Sequence, residues 1–381
     1  MIKNKIAILT QAPLGTNYGN TLQAYALQEV LKKQNYEVTV LDRVRYEIYG
    51  ITHWNLSQIK NGIFNLIDKK NRLTPRVFNE IFKEHFQFVH KNLNLSERLH
   101  TDEELKSHFQ KNKYNIVIVG SDQTWRPKYS PNIYNYFLDF LSGNQSIKKI
   151  AYASSFGTSE WEFSDEETQK CSALVQEFDA VSVREQSGVD LCRDHLKIEA
   201  EWVLDPTMLL DKEDYLAVAN SRELPKRTGL FSYILDENDN ITSAINEVMK
   251  TLNVEHFTNQ PKWRRNDKSG KSLDELKYPS VEGWLKAFDD AEFIVTNSFH
   301  GTVFSIIFNK PFLTIVNKER GAARFHSLLS EFGLEHRLVA EGSENIKQIV
   351  QTPMDFSFAN QRLQELKKQS IEFLTNSLLT K

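Results

Sequence analysis

Short apolar runs recur along the chain, each closed by a polar turn and followed by apolar residues at helical spacing. Residues 6–9, 38–41, 114–119, 149–153, 180–183 and 201–204 read as buried strands of a first α/β half. Residues 229–234, 256–258, 293–296 and 312–316 read as strands of a second. Helical spacing is expected over 21–33, 165–177, 187–195, 211–219, 240–252, 281–287 and 325–332, with a long final helix over 355–379. A nearly continuous apolar run over 302–308 follows the strand 293–296 and predicts a buried helix, stopped at Lys310 and Pro311. Strand, loop, helix, strand in this order is the opening of a Rossmann-like parallel sheet. The pattern therefore predicts an α/β chain with two Rossmann-like domains. The first spans 1–210 with a helical insertion near 43–91, and the second spans 211–350. A helix in 351–381 is expected to pack back across both.

In open parallel sheets, ligands bind beyond the carboxyl ends of the strands, so the strand-to-helix turns are the places to look for chemistry. After the first strand come Asn17, Gly19 and Asn20, polar and flexible at a helix start. They suit a polar ligand, or simply a helix cap and turn. The loop lacks G-x-G-x-x-G, so no dinucleotide is indicated. After 114–119 come Asp122, Gln123 and Trp125. Asp122 is placed for a base or hydroxyl acceptor and Trp125 for stacking on a sugar ring; a turn cap explains Asp122 equally well. Arg184 ends the strand 180–183, and either an anion or its neighbour Glu185 would partner it. After 293–296 come Ser298, a helix cap, then His300 and Gly301. A histidine at a helix N-terminus is a candidate acid or base beside a bound anion; capping alone is the plainer reading.

Composition narrows the classes. The 381 residues carry a formal net charge of −3, which argues against a general nucleic-acid binder. A hydrophobic content of 40% suffices for packed cores. Cys171 and Cys192 form neither a disulfide framework nor a metal motif, and the ten histidines lack ligand spacing, so no metal is expected. A reducing, cytoplasmic setting follows, with no secretion signal and no run of roughly 18 apolar residues to span a membrane. Residues 43–91 are aromatic and basic, with nine Lys and Arg against four acids. The favoured reading is an insertion covering the sheet with a solvated face. Peripheral contact with the inner membrane surface is the alternative.

Five stretches taken together resemble one family. NYGNTLQAYAL (17–27), VGSDQTW (119–125), VRE (183–185), LDPT (204–207) and NSFHG (297–301) look like the landmarks of polysaccharide pyruvyl transferases. The resemblance implies two Rossmann-like domains in a glycosyltransferase-B-like arrangement with an interdomain cleft. It implies phosphoenolpyruvate as co-substrate, no other cofactor, and a glycan or lipid-linked oligosaccharide acceptor. The product would be a cyclic pyruvate ketal with release of phosphate. Ser298 stands where many members carry a basic residue. Donor contacts are then expected from Ser298, His300, Gly301, Lys318 and Arg324 on the second domain's side and from Arg184 on the first. Acceptor contacts are expected from Asn17, Gly19, Asn20, Asp122, Gln123 and Trp125. His300, Asp122 and Arg184 would carry the chemistry as acid, base and phosphate holder. A nucleotide-sugar glycosyltransferase of the same fold, or a non-catalytic member of the pathway, are the alternatives.

Overall fold

The computed structural model describes residues 4–12, 14–44, 75–262, 272–316 and 322–379. It divides into two compact units. One comprises Met1–Phe82, Phe86–Leu209 and Leu366–Lys381; the other comprises Lys83–His85 and Leu210–Glu365. Each is built on a parallel sheet, as the apolar runs predict.

The first unit holds β1 (Lys5–Leu9), β2 (Glu37–Arg43), β3 (Leu95–Leu99), β4 (Ile116–Val119), β5 (Lys148–Ser154), β6 (Ala180–Val183) and β7 (Glu201–Trp202). They pair in the order β3-β2-β1-β4-β5-β6-β7. Ile8 lies opposite Ile118, and Ile118 opposite Ile150, all three fully buried. Covering both faces is why these strands read as unbroken apolar runs. The helix after β1, α1 (Tyr18–Lys33), starts three residues before the periodicity suggests. Its start is set by capping: the Asn17 side chain accepts from the Asn20 N–H. Strand β3 was not anticipated. It lies at the sheet edge and only Leu99 of its five residues is buried, so no apolar run announces it.

The second unit holds β8 (Leu230–Tyr233), β9 (His256–Thr258), β10 (Phe293–Thr296), β11 (Phe312–Val316) and β12 (Leu338–Ala340), in the order β12-β11-β10-β8-β9. One face buries Val295 and Leu313 against Ile241 and Val248 of α2 (Asp239–Leu252). On the other face Trp284, from α3 (Val281–Asp290), meets Phe304 of α4 (Phe299–Ile307) with ring centroids 4.9 Å apart. Burial of these large rings adds to the apolar stabilisation of the unit. The final helix, α5 (Ser357–Leu379), contributes to the first unit from Leu366 onward and to the second before that. In the first unit its Ser370 hydroxyl accepts from the Leu204 N–H, and Phe373 packs near Tyr152.

Of the aromatic and basic segment, residues 45–74 lie outside the described residues. Its described helices, Pro75–Ile81 and Lys83–Asn92, spend their aromatics on packing. Phe78 and Phe82 lie 4.9 Å apart, and Phe88 meets Tyr25 of α1. Arg43, at the segment's start, is buried and bonds Asp102, Asn135 and three backbone carbonyls. Among the described residues, no helix is long and apolar enough to cross a membrane.

Both cysteines are fully buried in the first unit's core, and burial pushes the Cys192 thiol up to about 12 and Cys171 higher still. Thiols held protonated and shielded are unreactive. In the native protein neither should react with an aromatic disulfide reagent at neutral pH, whereas both should react in denaturant. Titration of free thiols before and after unfolding checks this.

Candidate active site

In the first unit the order of strands reverses between β1 and β4, and the loops that follow them diverge there. The two loops are tied by side-chain amides. Gln23, fully buried on α1, donates to the Thr10 hydroxyl and the Asn20 carbonyl, and accepts from the Ser121 N–H at 3.0 Å. Gln11 accepts from the Gln123 N–H at 3.1 Å. Asn20 donates to the Gln11 carbonyl at 2.8 Å. The loop after β4 passes so close to β5 that a Cβ on Gly120, at φ +136°, would lie 2.0 Å from the Tyr152 carbonyl oxygen. Only glycine fits there. Asp122 itself adopts φ +70°. For a residue with a side chain this conformation is unfavourable, and such strain concentrates at functional sites.

Beside Asp122 lies a buried charge cluster. The Arg184 guanidinium donates to Asp205 at 2.8 Å and to Glu185 at 3.1 Å, and lies 3.6 Å from an Asp122 oxygen. All four residues are at most 8% exposed. Burial works against the charge on Arg184, but the carboxylates of Glu185, Asp205 and Asp122 outweigh it and hold its pKa above the ordinary arginine value. Glu185 also accepts from the Ser155 hydroxyl at 2.6 Å, and Asp205 from the Thr207 hydroxyl and N–H. One cation therefore faces three carboxylates, and the pole is acidic.

In the second unit the order reverses between β8 and β10. Ser298 caps α4 by accepting from the Gly301 N–H, and its own N–H is held by the Thr296 hydroxyl. A Cβ on Gly301 would sit 2.2 Å from that hydroxyl oxygen, so the first turn of α4 packs onto the end of β10 only with glycine. His300 lies in this first turn, 8% exposed. Arg324 lies against the motif, its guanidinium carbon 5.9 Å from the Phe299 ring centre and 5.4 Å from that of Phe325. The turn after β10 is pinned to the turn after β8: Asn297 accepts from the Leu235 N–H at 2.7 Å and donates to the Asp236 carbonyl.

A sequence model of the polysaccharide pyruvyl transferase family matches residues 17–319, from the cap of α1 to beyond β11. The chain belongs to this family. No curated protein sequence matches it. Three solved structures resemble the transferase across its length. A glycosyltransferase from Rickettsia africae is 8% identical at a TM-score of 0.51, with 98% of this chain and 94% of that one covered. The UDP-GlcNAc 2-epimerase of Methanocaldococcus jannaschii is 13% identical at 0.50, with 98% and 99% covered. The S. aureus MnaA–UDP co-structure is 13% identical at 0.50, with 99% and 97% covered. At these identities the likeness shows the fold alone, the two-sheet α/β fold of B-type glycosyltransferases and epimerases.

Of the residues singled out in the sequence, the transferase brings Asn20, Asp122, Gln123 and Arg184 together at the first pole. Ser298, His300, Gly301 and Arg324 lie together at the second. Asn17 and Gly19 belong to the start of α1, one as its cap and the other buried in its first turn. Lys318 lies outside the described residues. Two expectations need correction. Trp125 presents no face to a sugar: it is fully buried, stacked on Phe137 at 4.9 Å and donating to the Tyr136 carbonyl. Arg184 is not a cation awaiting phosphate, because its charge is spent on three carboxylates. Sequence reasoning missed Gln23 and Asn297 as the residues that tie the loops; a glutamine amid the apolar positions of α1 was the available signal. Among the described residues, no group of three or more His, Cys, Asp or Glu is placed to hold a metal.

Removing one partner of a buried charge cluster strands the others. Arg184→Gln should destabilise the first unit by about 3–5 kcal/mol at neutral pH. The deficit should shrink as pH falls, since protonation relieves repulsion among the carboxylates. Denaturant melts of the variant at several pH values check both the size and the sign.

Proposed function

We propose that this pyruvyl transferase moves the carboxyethylidene group of phosphoenolpyruvate onto a sugar diol. The acceptor would belong to a cell-surface polysaccharide or its lipid-linked precursor. The products would be a cyclic ketal and free phosphate. The observation that carries the reading is His300, in the first turn of α4 at the β8/β10 reversal of a chain of this family. Phosphoenolpyruvate carries a carboxylate and a phosphate, so it requires positive potential. A helix N-terminus supplies that, and Arg324 beside it supplies a fixed charge. The acidic pole of the first unit repels such a donor but suits hydroxyl groups. Donor binding is therefore assigned to the second unit, with Ser298, His300, Gly301 and Arg324, and Lys318 as a further cation read from sequence. The acceptor is assigned to Asp122, Gln123 and Asn20.

The chemistry follows from these assignments. His300 protonates the methylene carbon of the donor, and an imidazole is suited to exchange protons near neutral pH. The carbon bearing the phosphate becomes oxocarbenium-like. One sugar hydroxyl adds to it and gives its proton to Asp122. Phosphate leaves with the electron pair of its C–O bond. The second hydroxyl then closes the ring and gives its proton to the imidazole of His300, left neutral by the first transfer, while the proton on Asp122 passes to the departing phosphate. Arg184 acts through Asp122 in this scheme, as the cation that holds the carboxylate in place. The scheme needs no metal.

The direct assay is phosphate release from phosphoenolpyruvate with a galactoside or N-acetylmannosamine acceptor. His300→Ala should lose about 10²–10⁴ in rate, and Asp122→Asn a comparable factor. Wild-type protein releasing no phosphate across a broad diol panel would overturn the reading. Full activity in the His300 variant would remove that residue from the mechanism.

A further inference from the structure

Leu235 is a large apolar side chain that is 50% exposed, on the loop directly after β8. A single exposed leucine means little by itself. What sets this one apart is how firmly its backbone is held. Gln260 accepts from the Ile234 N–H at 2.9 Å and donates to the Ile234 carbonyl at 2.6 Å. Asn297 accepts from the Leu235 N–H at 2.7 Å and donates to the Asp236 carbonyl at 3.0 Å. Two side-chain amides thus clamp three consecutive residues, each satisfying one N–H and one carbonyl. Ile234 turns into the core, 4% exposed, while Leu235 stays in solvent.

The place is as specific as the restraint. Tyr233 and Thr296 are register partners at the ends of β8 and β10. Leu235 follows the first by two residues and Ser298 follows the second by two. The clamp residue Asn297 sits between Thr296 and the cap of α4. Leu235 therefore flanks the turn that carries His300, at the strand-order reversal where ligands of such sheets bind. An apolar group held in place there is available to the apolar part of a ligand.

We propose that Leu235 is a specificity-determining residue of the donor site, the apolar wall against which the methylene end of phosphoenolpyruvate rests. This rests on the donor reading given above. The donor is anionic at two of its ends and apolar at the third, and it is the third that must be protonated. An apolar wall at that end keeps water from the carbon and accepts the methyl group that protonation creates. It also separates phosphoenolpyruvate from anions that lack a three-carbon unit, such as free phosphate, and so favours product release.

The test compares two ligands on three proteins by thermal shift and by initial rates. Leu235→Ala should weaken phosphoenolpyruvate binding and raise its KM about tenfold, the scale of losing a few apolar contacts. Binding of inorganic phosphate should not change. Leu235→Met, which keeps the apolar surface, should stay near the wild-type value. Equal loss of both ligands would overturn the proposal, because it would mean general damage to the site. So would an alanine variant that binds phosphoenolpyruvate as the wild type does. If the wild type itself binds phosphate but no phosphoenolpyruvate, the donor reading fails first and the proposal with it.

Discussion

The Arg184 cluster decides how the first unit can be used. A guanidinium buried among Asp122, Glu185 and Asp205 is a large cost in desolvation, tolerated only because each carboxylate offsets part of it. The elements that meet there, β6 with Arg184 and the loops after β4 and β7, are fixed in mutual position by that requirement. The same arithmetic of charge gives the pole its sign. With three anions to one cation, an approaching phosphate meets repulsion, while a hydroxyl meets acceptors. Asp122 is the cluster member most loosely held, at 3.6 Å from the guanidinium, and the only one of the three in a strained backbone conformation. A carboxylate held this way is fixed in place without being consumed by its partner.

The second unit joins the turns at its strand-order reversal without ion pairs of the Arg184 kind among the described residues. Its loops are joined by neutral amides, Asn297 and Gln260, and by the hydroxyls of Ser298 and Thr296. Neutral hydrogen bonds add no net charge, so the fixed charges near this pole are Arg324 and, on the loop after β8, Asp236 and Glu237. The two poles therefore differ in kind. One presents acceptors, and the other presents N–H groups, an imidazole and an apolar side chain. That difference suits the proposed reaction between a sugar diol and an anionic enol phosphate.

Much of this was legible in the sequence because burial on both faces leaves an unbroken apolar signature. The strand ends at Thr296, Val183 and Val119 were placed to the residue. The turns after them follow, and with them His300, Asp122 and Arg184. What failed did so for physical reasons. Edge strands β3 and β12 are short and half solvated, so periodicity cannot single them out. Helix α1 begins earlier than its apolar residues suggest, since Asn17 sets the start by capping. Trp125 was misread because position in a loop does not reveal direction: its ring turns inward onto Phe137. Glu185 was visible as a partner for Arg184, but Asp205 lies 21 positions away and is brought near only by the sheet.

Ser298 is where sequence and structure bear on one another most directly. Its oxygen caps α4, and the residue is 4% exposed, so it contributes order rather than charge. The donor proposed here has two anionic groups, and a helix terminus alone, whose effect amounts to a fraction of a charge, would not balance them. Arg324 answers that need from the helix Ala322–Glu331. Its guanidinium carbon lies 5.9 Å from the ring centre of Phe299 and 5.4 Å from that of Phe325, within reach of a cation–π attraction. Phe299 is the residue immediately before His300, so the ring that holds the cation is covalently joined to the proposed acid. A cation held against Phe299, instead of one carried on the cap residue, leaves Ser298 free to cap the helix.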